Sequence, residues 1–193
     1  MVRKILGITL FAFAAPVLAG DLSYNFVELG YQRVELDDDG AGFNLDGDGF
    51  GISGSFEVGD SWFIAAGYGQ TGFDYGIDLD QLSVGFGYHA GISDRADVFA
   101  VLSYVRAEAS LSGFGSESDD GFGASVGVRG FVSDSVELAG MISYVDLGDG
   151  GDGTSVGGEA LYYFTERFAV GLNVEVEEDA MAYGVGARFY FGN

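Results

Sequence analysis

Apolar side chains recur at every second position along stretch after stretch of this chain. The last stretch, Ala180 to Phe191 (AMAYGVGARFYF), shows it most plainly. Met181, Tyr183, Val185, Ala187, Phe189 and Phe191 share one parity, and Ala182, Gly184, Gly186 and Arg188 share the other. Successive strand residues point to opposite faces, so this period of two predicts a strand with one apolar face and one small or polar face. The same reading applies to about Ser23–Glu35, Gly49–Val58, Ser61–Gln70, Asp78–His89 and Gly121–Phe131. Val98, Ala100, Leu102 and Tyr104 mark a fifth strand, and Leu138, Ile142 and Tyr144 a seventh. Val156, Ala160 and Tyr162 mark an eighth, and Phe168, Val170, Leu172 and Val174 a ninth.

Ten strands of about ten residues each result. Gaps at 59–60, 90–95, 132–135 and 165–167 are short, as hairpin turns are. Those at 36–48, 71–77, 109–120 and 147–153 are longer, rich in Gly and acid, and read as loops; the ninth gap, 177–179, is short. A soluble up-and-down barrel would turn its apolar face inward and need a charged outer face. Here the second face is mostly Gly and Ser, too poor in charge to meet water but suited to the crowded lumen of a narrow barrel. Even strand number, short turns at one end and longer loops at the other predict an all-β, transmembrane, antiparallel up-and-down β-barrel of ten strands. Eight strands is the alternative, should one hairpin lie outside the membrane.

The aromatics divide between the two ends. Tyr31, Phe50, Tyr68, Tyr104, Phe122, Tyr144 and Tyr183 fall toward the long gaps. Phe56, Trp62, Tyr88, Tyr162, Phe168 and Phe189 fall toward the short ones. Two girdles are what the two membrane interfaces select.

Residues 1–19 do not follow the pattern. Arg3 and Lys4 precede an apolar run, Ile5 to Ala15, and Val17-Leu18-Ala19 is a small-residue cleavage site. This is a secretory signal peptide, too short in its apolar run for a membrane anchor, and residues 20–193 are the barrel domain. Its removal leaves six arginines against 30 acids, a formal charge of −24. So acidic a chain excludes nucleic acid as a partner. Without cysteine there is neither a disulfide frame nor thiolate chemistry. The single proline, Pro16, lies in the signal segment, and every strand is free to donate its ladder bonds.

Few groups offer chemistry. The one histidine, His89, falls at a short-turn end and reads as a periplasmic turn residue, with no serine partner on the same rim; no enzymatic activity is expected. The run NLDGDG places Asp46 and Asp48 on alternate residues near Asp37 and Asp39, an oxygen-rich pattern that hard cations such as calcium favour. It lacks the full twelve-residue calcium-loop spacing, and a solvated anionic surface explains it as well. Arg33 and Arg106 sit at long-gap ends on the apolar parity. They fit either lipopolysaccharide phosphates or pairing with Glu35 and Glu108. Glu28, Glu57, Glu137, Glu159 and Glu175, with Arg129 and Arg188, take the lumenal parity. They predict a buried ion-pair network that fills the lumen, with a narrow cation-preferring or small-solute pore as the alternative.

The segments LSYNFVELGY, DLDQLSVGFGY and FGASVGVRG resemble a family of small Gram-negative outer-membrane β-barrel proteins, one of which is the "activator of immunity" type of plant-associated bacteria. Gly186, Phe189 and Phe191 are similar to the carboxyl-terminal signal of such barrels, though here Gly192-Asn193 follows. The resemblance implies residence in the outer membrane and handling by the barrel-assembly machinery. With the reading of the residues, it gives a monomer that meets lipid and lipopolysaccharide, holds no cofactor and has a structural or surface-interaction role.

Overall fold

The computed structural model describes residues 22–38 and 43–192; residues 1–19, read above as a signal peptide, lie outside the described residues. Ten antiparallel strands close into one barrel, each paired with its sequence neighbours and the first with the last. They are β1 (Phe26–Asp38), β2 (Phe43–Glu57), β3 (Trp62–Phe73), β4 (Ile77–Ser93), β5 (Ala96–Leu111), β6 (Gly115–Phe131), β7 (Val136–Asp146), β8 (Asp152–Thr165), β9 (Phe168–Glu177) and β10 (Ala180–Tyr190). Closure runs from Phe26↔Tyr190 to Leu36↔Ala180 in register, which leaves no sheet edge in the belt and settles the count at ten rather than eight.

The aromatics assigned to both girdles face outward and are exposed, as are Leu29, Ile52, Val84, Leu102, Ile142 and Leu172 between them. Glycine lets large rings lie flat inside. Phe63, Phe73 and Phe99 point into the lumen, and each is in register with a glycine of the next strand: Gly87, Gly47 and Gly127. A Cβ on Gly47 or Gly127 would come within 2.5 Å of the facing ring, and one on Gly87 would overlap the Phe63 ring. Gly87→Ala is therefore expected to destabilise the barrel by about 1–3 kcal/mol through overpacking. The shift of its urea midpoint measures this, and Phe63→Leu in the same chain should restore most of it.

The strands outrun the expected boundaries. Most of the described residues of the stretches 36–48 and 109–120 are strand, and the strands are joined by tight connections such as the single 3₁₀ turns at Asp74–Gly76 and Gly148–Gly150. Period two persists there, but the polarity of the faces swaps. On β1, Val27, Leu29 and Tyr31 face out below Arg33 and Glu35, while Glu28, Gly30 and Gln32 face in below Val34 and Leu36. β4, β5 and β7 swap at the same level. The inward residues above it, among them Val34, Leu36, Leu45, Phe73, Ile77, Leu79, Val105, Ala107, Val145 and Leu147, form one buried apolar cluster. The outer end of the barrel is thus a crown with its apolar side chains inside, as in a soluble barrel. Much of the acid assigned to loops lies on its outer strand faces.

Candidate functional site

The lumen below the crown is where charge and burial coincide. Arg188 on β10 is in register with Glu28 on β1, and its Nε donates to the Glu28 carboxylate. Its Nη2 donates at 2.8 Å to Glu159 of β8, reaching past β9, whose inward residues Ala169 and Gly171 are small. The Arg188 side chain is fully buried, and its guanidinium lies 4.6 Å from the Phe26 ring centroid. Arg129 is also fully buried and donates at 2.7 Å to Glu137. The second Glu137 oxygen accepts from the Tyr163 hydroxyl at 2.7 Å, and Tyr163 meets the Tyr190 hydroxyl at 2.8 Å. Two arginines thus join five strands through charge-assisted bonds in a desolvated setting, where such bonds are strong and any unpaired partner is costly.

The segment before β1 closes this layer from below. Tyr24 is wholly buried and stacks on Phe63 at 4.5 Å and on His89 at 4.1 Å between centroids. The Arg129 guanidinium lies over the Tyr24 ring at 5.1 Å from its centroid, and the Tyr24 hydroxyl donates to Asp97 at 3.3 Å. The Tyr24 backbone N–H donates to the Glu57 carboxylate at 2.8 Å, and the Asn25 side-chain amide donates to that carboxylate and accepts from the Glu57 backbone N–H. Glu57 thus anchors the amino-terminal segment rather than joining the arginines. Glu175 lies higher in the lumen and accepts from the Ser155 hydroxyl.

His89 is not a turn residue. β4 continues to Ser93, so His89 is a lumenal strand residue whose Nδ1 lies 3.2 Å from Asp97. Asp97, Tyr24, Tyr163 and Tyr190 complete the layer, and none was singled out by the sequence reading. All four carry lumenal parity, the one signal that marks them.

Arg33 and Arg106 face outward just above the aromatic girdle. Arg33 pairs with Asp46 at 2.8 Å and Glu35 at 3.7 Å. Arg106 lies 3.9 Å from Glu108 and donates to Ser118 at 3.3 Å. Asp46 is thus engaged by an arginine and Asp48 is exposed. Asp39 and the Asp37 side chain lie outside the described residues. Among the described residues no three acidic or histidine side chains converge as a metal site. At the carboxyl end, Phe189 faces outward opposite Val27, Gly186 faces inward beneath the Glu28 side chain, and the Phe191 N–H donates to the Asn25 carbonyl at 3.0 Å.

The family model for the outer membrane protein beta-barrel domain matches residues 6–164. No curated protein matches the chain. Among solved structures, an outer membrane channel from Pseudomonas putida F1 aligns with TM-score 0.59 at 10% identity over 95% of this chain and 100% of that one. The translocator domain of the autotransporter NalP from Neisseria meningitidis aligns at 0.52 and 12% identity over 88% and 89%. At such identity these likenesses show the fold alone, and they do not single out the activator-of-immunity type.

Proposed function

We propose, from the premise that this chain belongs to the outer membrane protein beta-barrel domain family and resides in the bacterial outer membrane, that it is a closed barrel with a structural or surface-interaction role. A lumen filled at both ends carries this reading. A layer of aromatic rings around two buried arginines occupies the periplasmic half, and an apolar cluster occupies the crown. Ten strands leave too little bore for a water-filled channel once large side chains enter it. The acidic outer faces of the crown, with Tyr75 and Phe114 exposed at its tips, form the surface offered outward. Lipid and lipopolysaccharide meet the girdles and the rim arginines. The assembly machinery reads Gly186, Phe189 and Phe191. The protein works as a monomer, without cofactor and without catalysing a reaction.

In planar bilayers the refolded protein is expected to give no discrete conductance steps in 1 M KCl. Reproducible cation-selective steps would replace this reading with the narrow pore.

A further inference from the structure

Between the ionic layer and the crown the lumen keeps an open chamber of about 50 Å³. Its lining includes Glu28, Gly30 and Gln32 of β1, Gly51 and Ser53 of β2, Gly67 of β3 and Asn173 of β9. Strands β3 and β9 meet only across the lumen, so the chamber lies inside it. Three inward glycines on three consecutive strands leave it unfilled, with Gly30 in register with Gly51, and Ser53 with Gly67. A water needs roughly 10–15 Å³ by this measure, so a few water-sized particles fit.

The charge beside this chamber does not balance. Arg188 lies between Glu28 and Glu159, giving two carboxylates to one guanidinium, with side-chain exposures of 0%, 11% and 2% for Arg188, Glu28 and Glu159. The other lumenal arginine, Arg129, is committed to Glu137. Glu159 Oε2 is buried without a hydrogen-bond partner. An excess negative charge held away from water is strongly disfavoured unless a positive charge joins it.

We infer that the chamber binds one monovalent metal cation of the sodium class, with Glu28 as its charged ligand and Gln32, Ser53 and Asn173 as neutral oxygen donors. Glu28 gives one oxygen to Arg188 and holds the other over Gly186, where a Cβ would come within 2.6 Å of it. Asn173 Oδ1 likewise rests over Gly184, 2.8 Å from where a Cβ would stand. Gln32 commits its amide nitrogen to Thr71 Oγ1 at 3.1 Å, which leaves its amide oxygen as the acceptor. Hard cations take such oxygens. One carboxylate among neutral donors, beside a net charge of minus one, suits a single positive charge better than calcium, whose sites gather several carboxylates.

The test is ²³Na line broadening with the refolded barrel in detergent micelles, titrated with NaCl against choline chloride at constant ionic strength. The native protein is expected to broaden the line saturably. Gly30→Ala places a methyl group in the chamber without touching the ion pairs, and its nearest contact, the Val185 carbonyl oxygen, is 3.6 Å away. This variant should bind about tenfold more weakly or worse, and Glu28→Gln should abolish the effect. If Glu28→Gln does not fold, Gly30→Ala decides alone. Broadening that is linear in sodium, or equal in the native protein and Gly30→Ala, overturns the proposal. Such a result, with one proton taken up per folded chain near neutral pH, would assign the neutralising charge to a proton.

Discussion

Arg188→Met is expected to lower the unfolding free energy of the barrel by about 3–5 kcal/mol, the usual cost of removing one partner from a buried ion pair. The substitution keeps most of the side-chain volume but strands two carboxylates, Glu28 and Glu159, that share this one guanidinium. It also removes the cation lying over the Phe26 ring. Urea titration of the protein folded in lipid vesicles measures the effect. The fluorescence of Trp62, the only tryptophan, reports it from the periplasmic girdle, where it stacks on Phe86 at 5.0 Å. The cost lies in the stranded acids and not in the missing arginine. Arg188→Met combined with Glu28→Gln and Glu159→Gln should therefore recover most of the loss, because a neutral network needs no counter-charge. A loss below about 1 kcal/mol for Arg188→Met alone would show that water or relaxation satisfies the two carboxylates.

The same triad shows what the sequence could and could not convey. Parity alone placed Arg188, Glu28 and Glu159 on the inner face, because alternation has a physical cause that any strand obeys. That Arg188 reaches β8 past β9 depends on Ala169 and Gly171 leaving it room, and register between strands is not written in any one strand. Tyr24 lies before β1, and only closure of the barrel shows that it folds under Phe63 and His89. His89 departs from its expected turn position for a related reason. The stretch HAGISD has the composition of a turn, yet pairing with β5 carries the strand on to Ser93. The crown was missed because Gly and Asp usually mark loops. In Val34-Glu35-Leu36 and Ile77-Asp78-Leu79-Asp80 the alternation is present, but with its polar side outward, the reverse of the belt below.

That reversal makes one strand a ruler for the membrane. On β5 the outward residues run Val98, Ala100, Leu102 and Tyr104, then Arg106 and Glu108; the inward ones run Val101 and Ser103, then Val105, Ala107 and Ala109. Leu102→Arg places a charge on the lipid face at mid-belt and is expected to cost about 2–4 kcal/mol. Glu108→Leu, two turns of the pleat above Tyr104, should change stability by less than about 0.5 kcal/mol, because that face meets water and holds only a long, exposed ion pair with Arg106. Ala107→Asp puts an unpaired carboxylate into the apolar cluster of the crown, where Ala107 is fully buried. It should cost several kcal/mol, on the order of the Arg188→Met loss. Unfolding free energies in vesicles of fixed thickness give all three values. If the lipid belt instead reached the ends of the strands, Glu108→Leu would stabilise the barrel and a second arginine at Glu108 would be as costly as the one at Leu102. The outer boundary then would lie at the tips and not at the tyrosine girdle. The swap of faces at Tyr104 and Val105 requires the opposite result, since Arg106 and Glu108 on the outward face stand where that face has left the lipid.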